Sequence, residues 1–212
     1  MTSVDLYCER IGPEFWAEPV NALTNAAFLA AAWGAWRLAR RLSALAPGIW
    51  GLIVLVAAIG FGSFTFHTLA TNWARWLDVL PILLFQLLYL WLYGRRVIGW
   101  GPFVAAGLLA LFLAAALIGR QFPAILNGSL IYAPALAVIL GLGIYQVRAA
   151  TEARFELLAA AALLVFSLAF RSVDNAVCAA LPIGTHFLWH LLNGTVVYLA
   201  VRALIYQRPI RA

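Results

Sequence analysis

The sequence contains no lysine and few charged residues of any kind. Charged residues make up 10% of the 212-residue chain and hydrophobic residues 65%, and all 14 positive residues are arginines. This composition excludes an ordinary water-soluble globule. The arginines stand in ones and twos at the ends of apolar runs, which argues against nucleic-acid binding despite the net charge of +6. The chain also lacks a serine-nucleophile elbow, a phosphate-binding loop and any internal repeat.

Long apolar runs recur along the whole chain and predict an all-α, polytopic membrane protein. A helix needs about 20 apolar residues to cross a bilayer. The predicted spans are 20–36, 49–69, 76–93, 99–118, 130–146, 155–170 and 187–206. We therefore expect a seven-transmembrane-helix bundle that forms a single domain over residues 1–212, with residues 1–19 as an extramembrane acidic N-terminal segment.

The arginines are distributed unequally between the two sides that seven crossings define. One side holds ten: Arg37, Arg40, Arg41, Arg95, Arg96, Arg148, Arg154, Arg202, Arg208 and Arg211. The other side holds four: Arg10, Arg75, Arg120 and Arg171. Because cytoplasmic loops carry the excess of positive charge, this predicts a cytoplasmic C-terminus and an N-terminus outside.

The chain has two cysteines, and the predicted orientation puts both outside the cytoplasm. Cys8 lies in the N-terminal segment and Cys178 in the sixth connection. An oxidising compartment allows them to form a disulfide that ties the N-terminal segment over the helix ends. The alternative is a pair of free, buried thiols.

Polar side chains inside apolar helices are costly, so the few that occur here are candidates for function. Ser63 and His67 are four residues apart and share one face of the second predicted helix. Asp78 begins the third helix, just past a short turn. All three therefore lie near the outer ends of their helices and can be neighbours.

The seventh helix begins with His186 and His190, which are also four residues apart. Such a pair points two imidazoles at one place, and His67 lies at the same predicted depth. Three neutral imidazoles leave a tetrahedral zinc ion with one open position, the pattern of a catalytic site. In isolation, an HxxxH pair more often consists of two hydrogen-bonded histidines. The confinement of all three histidines to one layer favours zinc.

Bound zinc acidifies water and polarises a carbonyl oxygen, so the predicted reaction is hydrolysis of an amide or ester. Asp78 is the candidate for moving the proton of the attacking water, and Ser63 for donating a hydrogen bond to the developing oxyanion. Either residue could instead orient an imidazole through its second ring nitrogen. We predict an active site near the non-cytoplasmic face.

A second group of polar residues lies in the acidic N-terminal segment. It consists of Asp5, Glu9, Glu14 and Glu18. Oxygen ligands of this kind suit calcium, although their spacing matches no EF-hand loop. The simpler interpretation is an acidic, solvated surface.

Several of these features together resemble the alkaline ceramidases, which belong to a superfamily of seven-helix membrane hydrolases that also includes the adiponectin-type receptors. The matching features are Tyr7-Cys8-Glu9, the stretch from Phe15 to Asn25, Ser63 and His67, Asp78, Asp174 with Cys178, and His186 with His190. The resemblance implies a zinc-dependent amidase that splits ceramide into a sphingoid base and a fatty acid. It assigns zinc to His67, His186 and His190, and places Ser63 and Asp78 beside the metal-bound water.

The resemblance also implies a Cys8–Cys178 disulfide and a calcium site in the N-terminal segment, for which Asp5, Glu9 and Glu18 are the candidate ligands. The expected partner is a membrane lipid, ceramide or another N-acyl lipid. Two other functions remain open: a zinc-stabilised lipid receptor with little hydrolase activity, and a proton or ion carrier using Asp78, Asp174 and Glu18.

Overall fold

The computed structural model describes residues 4–149 and 153–207. The α-helices in these ranges are α1 (Pro19–Thr24), α2 (Ala26–Arg41), α3 (Pro47–Leu69), α4 (Asn72–Tyr93), α5 (Pro102–Arg120), α6 (Ala133–Arg148), α7 (Glu156–Val177) and α8 (His186–Tyr206). A π-helical turn, Gly94–Ile98, continues α4, and a 3₁₀ segment, Ile125–Tyr132, leads into α6. No β-strand occurs in the described ranges, so the prediction of an all-α fold is confirmed.

Within the described ranges, six helices are long and apolar enough to cross a membrane. They are α3 to α8, with α4 and α6 extended by the π-helical and 3₁₀ segments. The first helical rod of the bundle, which precedes these six, consists of α1 and α2 and is interrupted only at Asn25. Helix α2 has 16 residues, fewer than any of the six spans. The chain is an integral multi-pass membrane protein, and a seventh crossing by this rod stays a prediction.

The surface of the bundle is apolar, as expected for a protein in lipid. Large side chains such as Phe103, Leu111 and Phe166 are at least 60% exposed. The polar side chains Ser167 and Asp174 are fully buried. This distribution inverts that of a soluble protein, because lipid solvates apolar side chains and polar groups must find partners inside.

Helix α8 is central: it packs against α7 on one side and α2 on the other, and a larger share of it is buried than of any other span. Helix α3 packs against α2 and, most closely, against α4. At that contact the Cα of Gly62 faces the backbone of Leu77 and Asp78 so closely that a Cβ atom would overlap the Leu77 carbonyl oxygen. Gly62 therefore lets α3 bring Ser63 beside the start of α4.

Helix α7 ends at Val177, seven residues beyond the predicted end at residue 170. The prediction placed this last stretch in the sixth connection, but in the structure it is helical and its polar residues make hydrogen bonds within the bundle. Arg171 donates to the carbonyl oxygen of Asn127 and the hydroxyl of Ser129, both at 2.8 Å. Asp174 is fully buried in the last turns of α7.

All four arginines assigned to the non-cytoplasmic side meet at one end of the bundle. The cavity that Asp5 lines is also lined by Arg10, Arg75, Arg120 and Arg171. They therefore share a side, as the count of arginines assumed. Which end faces the cytoplasm stays a prediction, and Arg208 and Arg211, which entered that count, lie outside the described residues.

Candidate metal centre

The three histidines of the chain meet inside the bundle. One ring nitrogen from each of His67, His186 and His190 lies within 4.8 Å of the other two. All three residues are at most 2% exposed. Among the described residues they form a potential metal-binding group, and the prediction that they converge is confirmed.

Two helices supply the trio. His67 lies in the last turn of α3, and His186 and His190 occupy the first two turns of α8. The ring centroids of His67 and His186 are both 4.7 Å from that of His190. The i, i+4 spacing on α8 places its two rings on one face, as the sequence indicated.

Asp174 fixes the beginning of α8. Its Oδ1 accepts hydrogen bonds from the backbone N–H groups of Thr185 at 2.6 Å and His186 at 2.9 Å. Its Oδ2 accepts from the N–H of Cys8 at 3.1 Å. A single buried carboxylate thus satisfies N–H groups at the start of the helix and connects α7, α8 and the N-terminal segment.

Gly184 makes this arrangement possible. Its φ of +62° lies in the left-handed region that favours glycine, and a Cβ atom there would overlap Asp174 Oδ1 and approach the Cβ of Cys8 to 2.8 Å.

We expect Gly184→Ala to destabilise the protein by about 1–3 kcal/mol, since the added methyl displaces Asp174 and the backbone is strained. Thermal unfolding in detergent measures this effect. Gly141→Ala is the control, because a Cβ at Gly141 meets nothing within 4 Å. Equal melting temperatures for the two variants would show that Asp174 does not depend on Gly184.

The second ring nitrogens of two histidines have hydrogen-bond partners. Nδ1 of His67 donates to Glu18 Oε2 at 2.6 Å, and Nδ1 of His190 lies 2.9 Å from the Thr24 hydroxyl. Such partners hold an imidazole in orientation and select which nitrogen keeps its lone pair. His67 Nε2 and His186 Nδ1 are buried and have no hydrogen-bond partner among the residues that the structure describes. Unpaired buried nitrogens are costly, and a bound metal ion would satisfy them.

Tyr7 covers the trio from the N-terminal segment. Its ring stacks on that of His186, with centroids 3.6 Å apart, and lies 5.2 Å from that of His67. Burial raises the pKa of the Tyr7 hydroxyl, so the side chain stays neutral.

Ser63 and Asp78 lie next to this cluster, as predicted. Ser63 is 2% exposed, and its hydroxyl donates a hydrogen bond to the Asp78 carboxylate, which in turn interacts electrostatically with His67. The contact follows from the close approach of α3 and α4 at Gly62. The arrangement brings a carboxylate and a hydroxyl to the histidine trio, while their chemical roles stay predictions.

Two cavities reach this region. A polar cavity of about 800 Å³ is lined by Asp78, Tyr7, Arg75 and Arg171, among others. An apolar cavity of about 90 Å³ lies deeper in the bundle and is lined by side chains that include Trp189, Asn193, Phe85 and Tyr89. Tyr7, whose ring stacks on that of His186, lines the polar cavity. Phe28, whose ring centroid is 6.4 Å from that of His190, lines the apolar cavity, so neighbours of the trio border both cavities.

Glu18 is at the centre of a buried ionic network. Oε1 accepts from Arg10 Nε at 2.5 Å, and Oε2 accepts from His67 and, at 3.2 Å, from the Asn21 amide. Burial alone would raise the pKa of Glu18, but the bonds from His67 and Arg10 outweigh it and lower the pKa. The Glu18 carboxylate is therefore charged.

Glu9 lies beside Glu18 and caps the start of α1. Its two oxygens accept from the backbone N–H groups of Val20 at 2.6 Å and Asn21 at 2.8 Å. Burial raises the pKa of Glu9, and these two hydrogen bonds oppose the shift.

Asp5, the third residue proposed to bind calcium with Glu9 and Glu18, lines the polar cavity. In the described part of the chain the three carboxylates do not form a group whose oxygens lie within 4.8 Å of one another. Calcium binding stays a prediction.

The Cys8–Cys178 disulfide is confirmed. It joins the N-terminal segment to the end of α7 across a sequence separation of 170, with a Cα–Cα distance of 5.2 Å. It holds Tyr7 and Glu9, the neighbours of Cys8, close to the histidines.

Three contributors to the site were not predicted: Arg10, Thr24 and Arg171. Arg10 and Arg171 read as topology signals. Thr24 had no role of its own in the predicted site; its hydroxyl also donates a hydrogen bond to the carbonyl oxygen of Val20 at 2.8 Å. One feature of the sequence could have indicated a role for Arg10: it is the single arginine in an otherwise acidic segment, where an ion pair with a glutamate is expected.

A protein-family model described as "Ceramidase" matches residues 2–211, nearly the whole chain. A comparison with curated proteins found no match.

Proposed function

Because the chain belongs to the ceramidase family, we propose that it is a zinc-dependent amide hydrolase that cleaves ceramide, or a related N-acyl lipid, into a sphingoid base and a free fatty acid. Family membership itself supports a ceramide-hydrolase kind of activity on a membrane lipid. The observation that carries the zinc proposal is the buried trio of His67, His186 and His190.

The donor set suits zinc. Three imidazoles are a common ligand set of catalytic zinc, and each residue here offers one nitrogen to a shared point. Glu18 and Thr24 hold the outer nitrogens of His67 and His190. When bound, zinc supplies a Lewis acid that acidifies water and polarises an amide carbonyl.

The protein's own residues supply the proton chemistry. We propose that the Asp78 carboxylate accepts a proton from the attacking water and returns it to the amide nitrogen as the C–N bond breaks. The hydroxyl of Ser63 holds Asp78 in place in the ground state. A role for Ser63 as hydrogen-bond donor to the oxyanion belongs to the same proposal.

The two cavities suit the two parts of such a substrate. The polar cavity, with Arg75, Arg171 and Asp78 in its lining, suits the hydroxylated head of a sphingoid base. The apolar cavity beside Trp189, Phe85 and Tyr89 has room for part of an acyl chain. The aromatic side chains of α4 thus contribute to the apolar wall.

We expect purified protein to contain about one zinc ion per chain and to release fatty acid from ceramide in detergent. Elemental analysis measures the metal, and mass spectrometry measures the product. His190→Ala is expected to lose the zinc, because two imidazoles remain of three. A wild-type protein that contains no zinc and binds none on addition would refute the proposal. Zinc without release of fatty acid from any N-acyl lipid would favour the receptor function.

A further inference from the structure

Arg10 is a buried cation whose guanidinium makes three described hydrogen bonds, all to oxygen atoms. It is 5% exposed. Its Nε donates to Glu18 Oε1 at 2.5 Å, Nη1 to the carbonyl oxygen of Gly12 at 2.9 Å, and Nη2 to the carbonyl oxygen of His67 at 2.9 Å. The guanidinium therefore bridges the N-terminal segment and the last turn of α3.

The oxygens around Arg10 are of the kind that bind a hard metal cation. One carboxylate and two main-chain carbonyls are typical calcium ligands. In this chain the guanidinium holds that place, and Glu9 directs both of its oxygens to backbone N–H groups. A second cation at the same Glu18 oxygen would be repelled by the first.

We propose that Arg10 is a built-in cation that replaces calcium at Glu18, and that it is a positioning residue for the zinc ligand His67. This inference rests on the proposed zinc-dependent function. Arg10 orients the Glu18 carboxylate, which holds the proton of His67 on Nδ1 and leaves Nε2 as the metal-binding atom. Its bond to the His67 carbonyl oxygen fixes the backbone of the same residue.

Two variants separate this role from general support of the fold. Arg10→Ala removes the cation and leaves a space lined by the same oxygens, which a small cation can enter. Arg10→Gln keeps much of the volume but removes the charge. The readout is the zinc dissociation constant, measured by competition with a chromogenic chelator in detergent.

We expect both variants to bind zinc about 10- to 100-fold more weakly than wild type, the usual effect of losing a residue that supports a metal ligand. Millimolar guanidinium or calcium ions should restore most of the zinc affinity of Arg10→Ala, because either cation can occupy the vacated oxygens. Neither ion should change the zinc affinity of the wild type. Arg202→Ala is the matched control: it removes another arginine–glutamate pair, with Glu156, away from the histidines.

Wild-type zinc affinity in Arg10→Ala or Arg10→Gln would overturn the proposal. A loss in Arg10→Ala that neither guanidinium nor calcium reverses would also overturn it, since Arg10 would then act by packing alone. If Arg10→Ala does not fold, the zinc affinity of Arg10→Gln decides: a wild-type value overturns the proposal, and a value about 10- to 100-fold weaker supports it. These results are distinct from failure of the proposed function, in which the wild type itself binds no zinc.

Discussion

Asp78→Asn is expected to lower kcat for ceramide hydrolysis roughly 10²- to 10⁴-fold, the usual contribution of a general acid–base residue. The amide has nearly the same shape as the carboxylate but cannot take a proton from water at neutral pH. Zinc content should not change, because the histidine trio that would bind the metal does not include Asp78. Initial rates of fatty-acid release at saturating ceramide, with elemental analysis of the same samples, measure both quantities.

The control for Asp78 is Glu156→Gln, an equivalent change at a partly exposed pair with Arg202. We expect its kcat to stay within about threefold of wild type, because breaking a partly exposed ion pair costs little. An Asp78→Asn enzyme of similar activity would exclude Asp78 as the proton-transfer group. Loss of zinc together with activity would instead show that Asp78 supports the metal.

Much of the candidate site could be predicted from the sequence because it lies in a membrane. In lipid every unpaired polar atom is expensive, so a histidine or aspartate in an apolar run stands out against its neighbours. Helical periodicity then places His186 and His190 on one face, and alternating helix directions bring His67 to the same level. These inferences needed only residue spacing and the order of the helices, and they were sufficient to predict that the three histidines converge.

The roles of Glu18 and Asp174 could not be predicted in the same way. Glu18 lies in an acidic segment and was named as a candidate calcium ligand, which stays a prediction, but its hydrogen bonds to Arg10 and His67 were not foreseen. Arg10 precedes Glu18 by eight residues and His67 follows it by 49, so these contacts depend on the tertiary structure. Asp174 fell outside the predicted span, which ended at residue 170. Sequence patterns cannot show that its carboxylate accepts hydrogen bonds from the start of α8.

The first helical rod shows a second limit. Its apolar run, 20–36, was identified correctly as helical, yet the structure starts α1 at Pro19 and continues α2 to Arg41. The helix continues through Arg37 and Arg40, whose guanidinium groups lie over the rings of Trp33 and Trp36. Long charged side chains can lie along apolar and aromatic surface in this way. An arginine after an apolar run therefore does not show where the helix ends.

Glu18→Gln is expected to destabilise the protein by about 3–5 kcal/mol, because it leaves the buried guanidinium of Arg10 without its carboxylate. The same change removes the charged acceptor from His67 Nδ1 and should weaken zinc binding about 10- to 100-fold. Thermal unfolding and chelator competition in detergent measure the two effects. The control is Glu14→Gln, in the same segment but exposed to solvent, which should alter neither quantity. If Glu18→Gln lowers the melting temperature and keeps wild-type zinc affinity, Glu18 stabilises the N-terminal segment without orienting His67.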